Sequence, residues 1–181
     1  MTDVHSAEVR SKNMRAIKSK DTKPEILVRK LLHKLGFRFR LNLADLPGKP
    51  DVVLPKYRVA IFVNGCFWHG HECDAFRWPK ANASIWRAKI CRNIDRDIEQ
   101  TEQLLMLGFR VITVWGCALD GASRLDGDTV ADRLAEWILS SRPEHEIRGH
   151  NGHVLHQSRG ALGSVRRTKG QPSSVQATRG K

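Results

Sequence analysis

Residues 46–63, LPGKPDVVLPKYRVAIFV, decide the fold. Leu46-Pro47-Gly48-Lys49-Pro50 is a turn, because Pro and Gly punctuate regular structure. Asp51-Val52-Val53-Leu54 then enters a short apolar run, Pro55-Lys56-Tyr57 turns again, and Arg58-Val59-Ala60-Ile61-Phe62-Val63 follows. Two apolar runs of strand length on either side of a short turn predict a pair of buried strands. Asp51 stands at the entrance to the first. A carboxylate in an apolar setting is strongly disfavoured unless it is paired or bound to a metal. The alternative is an exposed turn aspartate at a strand edge.

Upstream, Asp21-Thr22-Lys23-Pro24-Glu25 carries capping residues and then Pro in a first turn, which marks a helix start. Ile26, Val28, Leu31, Leu32 and Leu35 follow at helical spacing, and Gly36 closes the helix. Phe37-Arg38-Phe39-Arg40-Leu41 alternates as a half-buried strand does. Downstream, Ser84 can cap a long helix through about Leu107, ended by Gly108, and Phe109 to Trp115 is another strand. Thr129 to Leu139 is a last helix with Val130, Leu134, Trp137 and Ile138 on one face. With a basic helical arm at the N-terminus the order becomes αα-β-β-β-α-β-α. That is an α/β protein with a mixed sheet flanked by helices.

The chain has 181 residues, 40% of them hydrophobic, and a formal net charge of +12. One compact domain with extra segments fits that length. The positive charge suits a nucleic-acid partner, whose phosphates attract it without regard to sequence. There is no apolar run of membrane-spanning length, and Met1-Thr2-Asp3-Val4-His5 lacks the apolar stretch of a signal peptide. A cytoplasmic protein with reduced thiols is therefore expected, so its four cysteines read as metal ligands or core residues before disulfides.

Three regions follow. Residues 1–20 read as a basic arm suited to binding DNA, with Arg10, Lys12, Arg15, Lys18 and Lys20. Residues 21–140 form the main domain. Residues 141–181 read as a disordered basic tail: Arg142 to Lys181 holds eight Lys/Arg against two Asp/Glu, a net of +6 and half of the total. Its histidines, His145, His150, His153 and His156, are irregularly spaced and read as solvated.

Cys66-Phe67-Trp68-His69-Gly70-His71-Glu72-Cys73 packs two thiols and two imidazoles into one short loop, and Cys117 closes the strand that ends in Trp115-Gly116. Soft thiolate and imidazole donors suit tetrahedral Zn2+. A metal there would fasten the aliphatic-poor loop 64–82 onto the sheet. The alternative is that Cys66 and Cys117 are buried small hydrophobes. Spacing leaves open which histidine binds. Cys91 lies mid-helix beside Ile90 and Ile94 and reads as core, as do Trp115 and Trp137.

A Glu on an early helix, then Pro-Asp entering a strand hairpin, resembles the restriction-endonuclease-like core. There, strand-end oxygens gather a hard cation such as Mg2+. The acid-x-Lys triplet usual on the next strand is missing from Ala60-Ile61-Phe62-Val63. Arg10-Ser11-Lys12-Asn13-Met14-Arg15-Ala16-Ile17, Leu46-Pro47-Gly48-Lys49-Pro50-Asp51, Asn64-Gly65-Cys66-Phe67-Trp68-His69 through Cys73, and Val114-Trp115-Gly116-Cys117-Ala118-Leu119 together resemble the very short patch repair endonucleases. These are bacterial enzymes that nick DNA beside a T:G mismatch, which arises when 5-methylcytosine deaminates. The likeness spans residues 3–139 and leaves out the tail.

The resemblance implies a restriction-endonuclease-like mixed sheet with a structural zinc site. It makes Asp51 a Mg2+ ligand, with the backbone carbonyl of Val63 as another. His69 becomes the general base or proton relay, and Glu25 holds water around the metal. Cys66, His71, Cys73 and Cys117 become the Zn2+ ligands, which leaves His69 free. Phe67, Trp68 and Trp86 form a wedge entering the base stack, and intercalation is least costly where pairing is already poor. Met14 and Ile17 insert from the other groove while Lys12 and Arg15 neutralise phosphates. Lys89, Arg92 and Asn93, on the helix after Trp86, are candidates for reading nearby bases. The implied partner is double-stranded DNA with a T:G mismatch, met by a monomer at the bacterial nucleoid alongside mismatch-repair proteins. One departure stands out: relatives carry a second histidine where this chain has Asn64. An amide cannot transfer a proton, though it can donate a hydrogen bond to a phosphate oxygen.

Overall fold

The computed structural model describes Val9 and residues 20–150. Helix α1, Lys23–Lys34, begins as the sequence predicts. Thr22 is its N-cap, with Pro24 in the first turn. Glu25 reaches back to accept the Asp21 backbone N–H at 2.9 Å and the Thr22 hydroxyl at 2.7 Å. This reciprocal arrangement satisfies donors that a helix start leaves open.

Strand β1 is only Arg40–Leu41, shorter than predicted, because Phe37 turns into the core edge-on to Tyr57 (5.4 Å between centroids). Strands β2 (Val52–Leu54) and β3 (Val59–Asn64) are antiparallel, joined by a single 3-10 turn at Pro55–Tyr57. Helix α2, Ala83–Met106, crosses over to β4, Arg110–Trp115, which runs parallel to β3. Its N-cap is Asn82, not Ser84, and Asn82 adopts the left-handed conformation that short polar side chains tolerate. A single turn α3, Gly116–Leu119, precedes α4, Gly127–Leu139, capped by Asp126.

The sequence reading is corrected at the C-terminal boundary. Residues Glu144–Ile147, assigned to the tail, form strand β5, parallel to β4, and complete a sheet of order β1-β2-β3-β4-β5. One apolar side chain anchors it: Ile147 is fully buried, while Glu144, His145 and Glu146 are not. So few apolar residues fall below what a composition argument detects. His145 is half-buried rather than solvated, its ring 6.5 Å from that of Trp137.

Both faces of the sheet are covered. Val52, Leu54, Val59, Ile61, Ile112 and Val114 pack against α1 and α4 around the buried Trp137. Ala60 and Val111 face the other way, against Leu104 of α2. A strand covered on both sides needs apolar residues at every position, which explains the unbroken run in β3. Cys91 is corrected as well: it is exposed, since one residue of helical rotation carries it off the line of the buried Ile90. No helix among the described residues is long and apolar enough to cross a membrane.

Ile147→Ala tests whether β5 belongs to the core. Deleting a fully buried side chain of this size lowers stability by about 2–4 kcal/mol, read as a shifted urea midpoint. A change within about 0.5 kcal/mol would return the strand to the tail.

Candidate active site and metal centre

Sheet topology gathers residues far apart in sequence into one cleft of about 680 Å3, lined among others by Glu25, Asp51, Val63, Asn64, Trp68, His69 and Asp97. It lies where β2 begins and β3 ends. Because those strands are antiparallel, Asp51, just before Val52, sits beside Val63, and the Val63 N–H donates to Asp51 Oδ2 at 2.8 Å. One carboxylate oxygen is thereby fixed and the other stays available. Burial pushes the Asp51 carboxyl up to about 6 despite that hydrogen bond, and the nearby Glu25 carboxylate pushes the same way. A carboxylate made costly by burial is relieved by a cation.

Glu25 is nearly inaccessible to solvent, and besides capping α1 it accepts from Arg29 Nη2 at 2.8 Å. Its carboxylate is thus held firmly at the cleft wall.

His69 Nδ1 lies 2.5 Å from Asp97 Oδ2. Sequence reading missed Asp97. The available signal was its place on α2: Trp86, Ile90, Asn93, Asp97 and Gln100 recur at helical spacing, so an acid falls on an inward line. An acid accepting from Nδ1–H orients the ring and leaves Nε2 as the proton acceptor. Asn64, half-buried at the end of β3, also lines the cleft.

Beside this cleft the ligand atoms of Cys66, His71, Cys73 and Cys117 all lie within 4.8 Å of one another. Tetrahedral Zn2+ with bonds of about 2.3 Å to sulfur separates its ligands by roughly 3.8 Å, so three sulfurs and one nitrogen fit such an ion. His71 presents Nδ1, 3.6 Å from Cys117 Sγ. The backbone supports the sulfurs: Cys117 N–H donates to Cys66 Sγ at 3.2 Å, and Gly149 N–H to Cys117 Sγ at 3.4 Å. A Cβ on Gly149 would stand 2.3 Å from the Cys117 carbonyl oxygen, so only glycine permits this approach. Burial pushes the Cys66 thiol up to about 12 and the His71 imidazole down to about 4. A metal bound there releases protons from the thiols as it enters.

The Trp115 ring stacks on His71 at 4.1 Å and 7°, and its Nε1–H donates to Glu146 Oε2 at 2.8 Å. Trp115 is therefore a wall of the Cys/His cluster rather than the core residue the sequence suggested. Gly70 lets the loop lie against α2: with φ +60°, a Cβ there would sit 2.7 Å from Ile94.

Phe67, Trp68 and Trp86 form a cluster with centroid separations of 5.1, 5.2 and 5.8 Å. Lys89 Nζ lies 5.1 Å from the Trp68 ring centroid, and Asn93 Nδ2–H donates to the Trp68 carbonyl at 2.8 Å. Both residues hold the cluster in place. Arg92 bonds within its own helix, to Ala88 O. Lys12, Met14, Arg15 and Ile17 lie outside the described residues.

Comparisons with known proteins point to one family. The family model described as DNA mismatch endonuclease Vsr matches residues 2–75. The chain is 43% identical over 155 residues to the DNA mismatch endonuclease Vsr of Escherichia coli (strain K12), covering 86% of this chain and 99% of that protein. It is 49% identical over 119 residues to the type II nicking enzyme V.NmeAIP of Neisseria meningitidis, covering 66% and 85% of the two. Against the type II nicking enzyme V.XorIIP of Xanthomonas oryzae pv. oryzae it is 46% identical over 126 residues, 70% and 93% of the two.

Two outcomes are expected of these groups. A carboxyl lifted from 3.8 to about 6 by folding burdens the folded state by up to about 3 kcal/mol once pH exceeds its folded value. Below about pH 4 it is protonated in both states and the burden is gone. Asp51→Asn therefore raises the Tm of the protein without added Mg2+ at pH 7.5, and the gain fades on acidification from about pH 6 to about pH 4. An identical Tm for both proteins at pH 7.5 would contradict the buried carboxylate. Separately, Cys117→Ala abolishes stoichiometric zinc uptake, measured by atomic absorption, and lowers the Tm; a variant still carrying one zinc per chain would exclude Cys117 as a ligand.

Proposed function

The chain belongs to the family of DNA mismatch endonucleases Vsr, and from that premise we propose that it nicks one strand of duplex DNA beside a T:G mismatch in a Mg2+-dependent reaction, starting repair of deaminated 5-methylcytosine. The observation that carries this reading is one cleft holding Asp51, the His69–Asp97 pair and Trp68. A cation ligand, an oriented base and an aromatic wedge then meet at a single phosphate. We read the mixed sheet as a restriction-endonuclease-like core with Asp51 at the usual strand entrance.

The free oxygen of Asp51 and the Val63 carbonyl would hold Mg2+. Bound there, the ion supplies electrostatic stabilisation of the charge that builds on the phosphoryl oxygens. His69 Nε2 takes the proton of the attacking water, and Asp97 keeps the ring in the needed tautomer and stabilises it once charged. Glu25, held by Thr22, Asp21 and Arg29, orients water at the cleft wall. Asn64 donates a hydrogen bond to a phosphate oxygen but moves no proton.

Cys66, His71, Cys73 and Cys117 hold structural Zn2+, whose role is to fix the loop bearing His69. Phe67, Trp68 and Trp86 enter the base stack, and the weak T:G pair lowers the unstacking penalty. Lys89 and Asn93 brace Trp68 against α2, and Lys12, Met14, Arg15 and Ile17 grip the duplex from the N-terminal arm. The basic residues after 150 add affinity for any duplex through phosphate contacts.

The test is nicking of an end-labelled duplex with one T:G pair, with and without Mg2+. Wild-type protein cuts one strand beside the mismatch only with the metal, and Asp51→Ala abolishes cutting. Asp97→Asn lowers the single-turnover rate by about 10²–10⁴-fold, as for other imidazole bases that lose their orienting acid, with duplex affinity retained. Cutting that survives Asp51→Ala sinks the mechanism. Equal cutting of T:G and C:G duplexes would make the target an intact site instead.

A further inference from the structure

The loop between the metal centre and α2 carries a second aromatic group that the cleft does not use. Phe76 links it to the wedge, with its ring 6.4 Å from Phe67 on one side and edge-on to Trp78 at 5.1 Å on the other. Trp78 is 39% exposed and lies outside both core clusters. The Arg87 guanidinium sits 4.8 Å from the Trp78 ring centroid. Among the described residues Arg87 forms no ion pair with a carboxylate.

The indole packs edge-on to Phe76 yet keeps 39% of its surface in water, with a cation on one face. Trp, Tyr and Arg are the side chains that most often carry binding energy where a protein meets a partner. A guanidinium stacked on an indole also keeps its edge N–H donors free, in a plane suited to the two oxygens of a phosphate. The charge of the segment points to the same ligand: between Glu72 and Lys89 the cations Arg77, Lys80, Arg87 and Lys89 outnumber the acids Glu72 and Asp74.

We propose that Trp78 and Arg87 form a DNA-backbone contact outside the cleft, on the duplex flank that leaves the Phe67–Trp68–Trp86 wedge. The indole packs on deoxyribose, and the guanidinium bonds a phosphate. Phe76 joins this contact to the wedge through ring-to-ring packing, so grip on the flank and entry into the stack are set by one rigid aromatic line. The contact is blind to sequence and to the mismatch, because it touches only sugar and phosphate. It rests on the reading of the chain as a nuclease of duplex DNA, but not on T:G selectivity or on Mg2+.

The experiment is fluorescence-anisotropy binding of the full chain, with Mg2+ left out to prevent cutting and the zinc kept, to a long labelled duplex and to one trimmed close to the mismatch. Arg87→Ala, Trp78→Ala and Trp78→Phe are compared with wild type, each first shown to keep the wild-type Tm. On the long duplex Arg87→Ala weakens binding by about fivefold, equally for T:G and C:G pairs. It also lowers the slope of log K against log salt by about 1. Trp78→Ala weakens binding similarly, Trp78→Phe keeps most of the affinity, and none of the variants changes binding to the trimmed duplex. Unchanged affinity and salt slope in both alanine variants would overturn the proposal and leave the patch to a protein partner; a loss confined to T:G duplexes would overturn it too. Failure of the nickase reading shows differently, as wild-type protein that binds duplex without cutting it.

Discussion

Four donors that could hold a metal meet at one point: Cys66, His71 and Cys73 from a loop and Cys117 from the turn after β4. The loop they hold has almost no aliphatic residues with which to pack itself down. Without a fastening it would lose the entropy contest that decides whether a segment is ordered. With one, every residue between the first and third donors has a defined place. His69 sits two residues before a ligand, and Phe67 and Trp68 sit immediately after another. On the proposed reading, a metal held there would set the distance from His69 to the scissile phosphate as much as the sheet does.

Strand β5 belongs to the same construction. Gly149 N–H bonds the sulfur of Cys117, Glu146 accepts from Trp115, and Trp115 stacks on His71. The end of the sheet and the loop thus share one wall. Hydrogen bonds and stacking around metal ligands orient them and tune how readily they give up protons. Across that wall, the antiparallel β2–β3 pair brings the Val63 N–H to Asp51, and the crossover helix α2 delivers Asp97 to His69. Three parts of the fold converge on one cleft, and each contributes a group the others cannot.

Much of this is legible in the amino-acid sequence, and the reasons differ by residue. Thr22, Pro24 and Glu25 announce α1 through local capping chemistry. The strands β2 and β3 announce themselves through unbroken apolar runs bounded by Pro. The Cys/His density of residues 66–73 points to a metal. What escaped was non-local. Strand β5 rests on the single buried Ile147 and on pairing to β4, so composition assigned it to the tail. Asp97 is one acid among several on a long helix, and only its phase relative to Trp86 and Ile90 separates it from the solvated ones. Trp115 reads as core by type yet serves as a stacking wall, since nothing in its local sequence names His71 as its neighbour. Cys91 shows the opposite failure: residue type suggested burial, and helical phase put it in water.

The most direct measurement is X-ray absorption at the zinc edge on the purified 181-residue chain. The expected shell is three sulfur neighbours at about 2.3 Å and one nitrogen at about 2.0–2.1 Å, with one sulfur replaced by a lighter atom or the metal lost in Cys73→Ala. A shell made only of oxygen and nitrogen, or no zinc in protein that still nicks DNA, would contradict the claim that this metal centre fastens the loop carrying the base and the wedge.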